Sequence, residues 1–259
     1  MAERLKIIAA LPPRYIINNP HPGCETAHMA YSVGRGFRLY RAREMANASG
    51  GFMVLEIGRF QGGGPSASIV DNVVSECERR EFKGVVLDAD GRSKTAVTMS
   101  LAHSLAAALQ KKELLLFVPE DFYTAGENMI IRLSTALSGG TLIRHLSDCT
   151  EKYGAKNVAV EIERVRMDFN IPSLSGVGKE LSPAGLEKLT AKRSGKLFYS
   201  PELATNYFMH RENGQPGFVL FDDADSIKKK LSVVRNADIR FAFVYYPQVM
   251  DILDDILTF

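Results

Sequence analysis

Apolar runs of strand length alternate along this chain with longer stretches that repeat apolar residues at helical spacing. The first run is LKIIAAL (residues 5–11), stopped by Pro12 and Pro13. FMVLEI (52–57), KGVVL (83–87), ELLLFV (113–118), MIIRL (129–133) and NVAVEI (157–162) follow, and IRFAFVY (239–245) comes last. Helical spacing fills residues 39–48, 67–80, 95–111, 141–153, 183–192 and 223–235. Strands that are apolar throughout, rather than in alternation, are buried on both faces, as in a parallel sheet covered by helices. The number of units in 259 residues favours closure into a (β/α)8 TIM-type barrel over an open sheet. Seven strands are clear, and the eighth is expected near residues 29–33. Residues 196–222 break the pattern with two extended segments around the turn ENGQPG (212–217). A small inserted β element is therefore expected before the last helix and strand. No repeat or linker divides the chain, so residues 1–259 read as a single domain.

At 46% hydrophobic and 24% charged residues, the chain can build a sizeable core. A net charge of +2, with no basic stripe interleaved with aromatics, argues against a nucleic-acid partner. Cys24, Cys77 and Cys149 are odd in number and widely spaced, so reduced thiols are expected rather than disulfides or zinc ligands. The five histidines (His21, His28, His103, His145, His210) lack ligand spacing, and no cofactor motif is present. The segment MAERLKIIAAL lacks the apolar core and cleavage site of a signal peptide, and no stretch has transmembrane length. The expectation is a cytoplasmic chain, one associated with the spore or cell envelope without a classical leader, or one whose leader has been removed.

A parallel barrel gathers its chemistry where the strands end in their C-terminal loops. Asp88 and Asp90 alternate at such an end, which places both side chains on one face. Two close carboxylates can split their proton affinities, one staying protonated as a general acid while the other remains ionised. The same residues read equally well as caps of the following turn. Further strand-end polar groups are Glu56 with Arg59, Glu120 with Asp121, Ser134 with Thr135, and Glu161 with Glu163. Arg132 lies inside an apolar strand and needs a carboxylate partner, for which Glu161 is the candidate. The GGGPS turn (62–66) can present backbone N–H groups to a phosphate, although it lacks the Lys-Ser/Thr of a P-loop; a plain tight turn is the simpler reading.

FKGVVLDAD (82–90) resembles the signature of the family 18 glycoside hydrolases, D-G-x-D-x-D-x-E at the end of the fourth barrel strand. The tail is the stronger match. Tyr207-Phe208, a turn, and GFVLFDDADSIKKKLSVVRNADIRFAFVYY (217–246) resemble the end of the spore-germination and cortex-associated branch. ELLLFVPEDF as fifth strand and NVAVEI as seventh fit the same order, and the resemblance covers about residues 50–250. It implies substrate-assisted, retaining hydrolysis of an N-acetylglucosamine-containing glycan of cell-wall type, in which the substrate's acetamido group attacks the anomeric carbon. By position Asp90 would be the acid and Asp88 the residue that orients the acetamido group, with Glu56, Glu161, Ser134, Tyr207 and Tyr245 as substrate contacts.

This chain departs from the family pattern at several points. Lys83 and Val86 replace the first two aspartates of the signature, and Asp90 stands for its glutamate, one methylene shorter. A misplacement of about 1 Å can cost about 100-fold in rate. The family's sixth-strand tyrosine corresponds to Ser134 or Thr135, and the chain has no tryptophan to floor a sugar, leaving Tyr245 or Tyr246 as the stacking face. Weakened or lost hydrolysis is therefore expected. Two rivals remain. One is a structural or assembly barrel, docking on a protein partner through VMDILDDILTF (249–259), a segment that reads more simply as a terminal helix covering the sheet. The other is an enzyme that takes a phosphorylated small molecule at the GGGPS turn.

Overall fold

A computed structural model describes residues 4–16, 21–58, 67–136, 140–172, 177–193, 196–212 and 214–258. In chain order its strands begin with β1 (Lys6–Leu11), β2 (Glu25–Gly34), β3 (Arg38–Arg41), β4 (Phe52–Glu56) and β5 (Gly84–Asp88). They continue with β6 (Leu115–Pro119), β7 (Ile130–Ser134), β8 (Val158–Ile162), β9 (Arg166–Asn170) and β10 (Lys179–Glu180). The last four are β11 (Phe198–Ser200), β12 (Thr205–Glu212), β13 (Gln215–Phe221) and β14 (Phe241–Tyr245). Strands β1, β2, β4, β5, β6, β7, β8 and β14 pair in parallel, and the pairing of β1 with both β2 and β14 closes them into a ring. The outer helices are α1 (Ala67–Arg80), α2 (Ala96–Gln110) and α3 (Leu142–Tyr153), then, after α4 (Pro183–Ala191), α5 (Ala224–Asn236). Two short helices, α6 (Tyr246–Val249) and α7 (Leu253–Leu257), follow β14.

The two-residue period of a strand explains why these runs are apolar on both faces. Ile8, Ala27, Phe52, Val54, Val86, Phe117, Ile130, Ala159, Phe241 and Phe243 form the cluster inside the ring. Their neighbours Leu55, Leu87, Val118, Ile131, Val160 and Val244 belong to the outer cluster, with Ile69 and Val73 of α1 and Leu101 and Leu105 of α2. Inside, Phe117 meets Phe52, Phe241 and Phe243 edge-on at 5.4, 5.1 and 5.1 Å. The helices start where side chains can serve the free N–H groups: Thr95 with Thr98 and Asp223 with Ser226 form capping boxes.

At Gly84 the chain passes so close to β6 that an added Cβ would lie 2.2 Å from the Leu115 carbonyl oxygen. Because the neighbour is backbone and cannot swing away, Gly84→Ala is expected to destabilise by about 1–3 kcal/mol or more. Denaturant unfolding of the purified variant reads this directly.

The eighth strand is β2, and it contains the residues 29–33 where it was sought. The helix expected over 39–48 does not form. A turn with Gly36 at φ +72° sends the chain back as β3, whose residues 38–41 pair antiparallel with β2, and a 3-10 segment (Arg43–Asn47) follows. Cross-strand hydrogen bonding overrides the helical spacing there. The inserted element is larger than the two segments expected from sequence. Strands β10-β9-β13-β12-β11 form an antiparallel sheet. Helix α4, expected to flank the ring, instead gives Leu186 and Leu189 to Phe208, Val219 and Phe221 of that sheet. The C-terminal segment covers the ring: Val249, Leu253 and Ile256 are buried in the outer cluster.

A fully buried ion pair fastens the insertion to the ring. Lys230 Nζ of α5 donates to Asp222 Oδ2 at 2.6 Å, with side chains 1% and 0% exposed. The Asp222 carboxylate also accepts from the Val165 N–H and from the hydroxyls of Thr205 and Ser226, each at 2.9 Å. Those donors come from the β8–β9 link, β12 and α5.

Among the described residues no helix is long and apolar enough to cross a membrane. Cys24, Cys77 and Cys149 are free thiols, and burial pushes Cys77 up to about 12.

Candidate active site at the barrel mouth

The inward period that packs aromatics deep in the ring brings polar residues to its C-terminal rim. On β4 the series Phe52, Val54 ends at Glu56, and on β5 Val86 is followed by Asp88. On β7 Ile130 is followed by Arg132 and Ser134, on β8 Ala159 by Glu161, and on β14 Phe243 by Tyr245. Two hollows open here, of about 290 and 360 Å³, and they share Met29, Val54 and Asp88. Glu161, Glu163, Arg132, Phe243, Tyr245 and Gln248 wall the first, and Glu56, Tyr31 and Tyr40 wall the second. Glu56 and Asp88 stand side by side in the β4–β5 register. The first hollow carries three carboxylates against one guanidinium, so its field is acidic.

Arg132 organises this rim. It forms an ion pair with Glu161 and donates from Nη2 to the Leu87 carbonyl at 2.8 Å, linking β7, β8 and β5 beside Asp88. The charge inside the apolar strand thus has the carboxylate partner anticipated from sequence. Its Nε–H is buried and finds no acceptor among the described residues. Ser134 donates to Glu163 at 2.5 Å, which holds that carboxylate at the edge of the hollow. Tyr245, 39% exposed, presents an aromatic face at the rim.

Asp90 does not join Asp88. The strand ends at Asp88, so the two-residue alternation no longer governs the side chain two positions on. Asp90 instead caps a one-turn 3-10 segment (Gly91–Ser93), accepting from the Ser93 N–H at 2.9 Å and hydroxyl at 2.5 Å. Arg92 lies against it at 3.3 Å. The Ser93 hydroxyl, with the backbone N–H and Arg92, holds the Asp90 carboxyl below the usual carboxylate range. Asp90 lines neither hollow at the mouth.

Tyr207 also lies elsewhere. It is on β12, in the inserted sheet, stacked on Phe198 with ring centroids 5.3 Å apart. Asp88, Glu56, Glu161 and Tyr245 are brought together at the mouth, and Ser134 is one contact away through Glu163. Arg59 and the GGGPS turn lie outside the described residues. Sequence reasoning missed Met29, Tyr40 and Gln248 as wall residues. Tyr40 rides on β3, which the helical reading of 39–48 concealed; Met29 lies on β2, where an apolar residue reads as core; and a single glutamine after Tyr245-Tyr246-Pro247 carries no pattern. The tail motif DDADSIKKK has a structural meaning: Asp222 and Lys230 are the buried pair, and Asp223 caps α5. Among the described residues no group of three or more His, Cys, Asp or Glu side chains is placed to hold a metal ion.

No family model matches the chain's sequence, and no curated protein matches it by sequence either. Solved structures match across nearly the whole chain. The spore cortex-lytic enzyme SleL of Bacillus megaterium superposes with a TM-score of 0.68 at 14% identity, over 98% of this chain and 74% of that one. A chitinase from Chromobacterium violaceum gives 0.64 at 15% identity, over 93% of each chain. The GH18 chitinase of Cycas revoluta, solved in complex with (GlcNAc)3, gives 0.62 at 12% identity, over 97% of this chain and 98% of that one. At such identities the likeness is one of fold.

Proposed function

We propose that this chain, whose fold is shared with a GH18 chitinase and a spore cortex-lytic enzyme, recognises an N-acetylglucosamine-containing glycan at the barrel mouth and hydrolyses it weakly or not at all. The observation that carries this reading is the state of Asp90. A general acid must hold a proton near working pH, which enzymes achieve by raising a carboxyl's affinity for it. Asp90 is pushed the other way by Ser93 and Arg92, and it is used as a cap outside both hollows. Asp88 remains in the wall, where a carboxylate can accept from a sugar hydroxyl or acetamido N–H. Apolar Met29 and Val54 and the Tyr245 ring supply surface for a pyranose face, as mixed apolar and polar walls do in ligand sites generally.

The test is binding and turnover of N-acetylglucosamine oligomers and peptidoglycan fragments by the wild type, Asp88→Asn and Asp90→Asn. Expected are binding by the wild type, weaker binding by Asp88→Asn, unchanged binding by Asp90→Asn, and little or no release of reducing ends by any of them. Robust turnover that disappears in Asp90→Asn would instead make Asp90 a working acid. Absence of binding to every glycan would overturn the reading.

A further inference from the structure

The mouth does not end at Glu163. A crevice of about 540 Å³ lies between the ring and the inserted sheet and shares Glu163 and Gln248 with the mouth hollow. A third hollow of about 500 Å³, walled by α4 and Asp251, shares Arg164 and Arg166 with the crevice. The three adjoin one another through these shared residues, and the two arginines stand between the crevice and the third hollow.

Those two arginines are two residues apart, Arg164 on the link from β8 and Arg166 at the start of β9, but their surroundings differ. Arg164 is satisfied: it donates to Asp251 Oδ1 at 2.5 Å, to the Gln248 carbonyl at 2.8 Å and to the Asp222 carbonyl at 3.3 Å. Arg166 is half-buried, and among the described residues no acceptor holds its guanidinium. Burial and the charge of Arg164 lower its pKa, outweighing the opposing pull of Asp251 and Glu180. A cation so placed gains from a direct anion, and the planar guanidinium fork fits a carboxylate with two parallel hydrogen bonds. Phe169, stacked on Phe218 at 4.8 Å, and Val177 give the same crevice apolar surface beside that charge.

We propose that this crevice continues the glycan groove as an anion subsite, in which Arg166, positioned by Arg164, takes a carboxylate carried by the glycan. The proposal rests on the glycan reading of the mouth and specifies its ligand as an acidic rather than a neutral polymer. The carboxylate has two possible sources, the lactyl ether of a muramic-type sugar or an acidic residue of a peptide attached to it.

The experiment compares three probes on the intact chain by calorimetric titration. They are neutral N-acetylglucosamine oligomers, alternating N-acetylglucosamine–N-acetylmuramic acid oligomers with free lactyl carboxylates, and the same oligomers with each lactyl group capped by an alanyl-glutamate dipeptide. Each is measured with the wild type, Arg166→Gln and Arg166→Lys, after thermal unfolding has confirmed that the variants are folded. Expected is tighter binding of at least one acidic probe than of the neutral one. Arg166→Gln should erase that advantage by about tenfold, Arg166→Lys should restore part of it, and neutral-oligomer affinity should stay the same in all three proteins. The acidic probe that responds identifies the source. Neutral oligomers binding as well as both acidic probes, or an acidic advantage that survives Arg166→Gln, would overturn the anion subsite and leave the mouth reading standing. If none of the probes bound, both would fall together.

Discussion

Replacing Lys230 by methionine is expected to lower the free energy of unfolding by about 3–5 kcal/mol, because it strands a charge that water cannot reach. The Lys230 and Asp222 side chains are 1% and 0% exposed, so solvent screening offers the orphaned carboxylate almost nothing. Methionine keeps most of the volume and the apolar stem, which leaves the charge as the main thing removed. Asp222 would retain its bonds from Val165, Thr205 and Ser226 but would lose its counter-ion. The measurement is the midpoint of urea unfolding at constant m. Removing both charges, in Lys230→Met with Asp222→Leu, is expected to recover part of the loss, since a well-packed apolar pair can replace a buried ion pair at little cost. Recovery should be incomplete, because the double variant also abandons the three donors that Asp222 now serves. A single variant as stable as the wild type would show that the pair does not fasten the insertion to the ring.

Phe117→Ala is expected to cost a similar amount, about 3–5 kcal/mol, by a different mechanism. Its ring is fully buried and packs against Phe52 of β4 and against Phe241 and Phe243 of β14. Truncation removes contacts on all three sides, and a closed ring of strands cannot collapse into the void as a loose helix pair can. Phe117→Leu should retain much of the stability because it fills much of the same volume. Comparing the two by denaturant unfolding separates lost volume from lost aromatic geometry. A change below about 1 kcal/mol in Phe117→Ala would contradict the packing described. Phe243 also lies beneath Arg132, whose guanidinium carbon is 5.9 Å from its ring centroid. Damage at Phe117 should therefore also be felt at the mouth.

The ring was largely legible in the sequence because its signal is physical and local. A strand that must be apolar on both faces leaves a run such as VVL or LLFV that few other environments tolerate. Helix α5 was legible from its apolar spacing over 223–235, and the unpaired N–H groups at its start account for Asp223 and Ser226 there. Residues 39–48 failed because Leu39, Ala42 and Ala46 repeat at helical intervals, whereas a turn through Gly36 hands the backbone to β2. Nothing in the side chains of 38–41 announces that pairing. At the site, Arg132 and Glu161 could be matched in advance because an ion inside an apolar strand demands a partner. Asp90 could not be placed in the same way. Its alternation with Asp88 holds only while the strand lasts, and where a strand ends is set by the turn beyond it. The crevice and Arg166 lay further from view, because they arise where two sheets meet and neither sequence segment implies the other.

The closure of the ring has a consequence in time as well as in space. Lys6 pairs with Phe241, so the seam between β1 and β14 joins residues 235 positions apart. Contacts so distant in sequence carry a large entropic cost before they return any stabilisation, and they slow the search for the native state. During synthesis β1 emerges long before β14 and must wait, with β2 as its only strand partner, until β14 has been made. Throughout that interval one flank of β1 is an open strand edge able to pair with any other exposed edge. Aggregation risk in this ring therefore belongs chiefly to its unfinished state, and the arrival of β14 is what ends it.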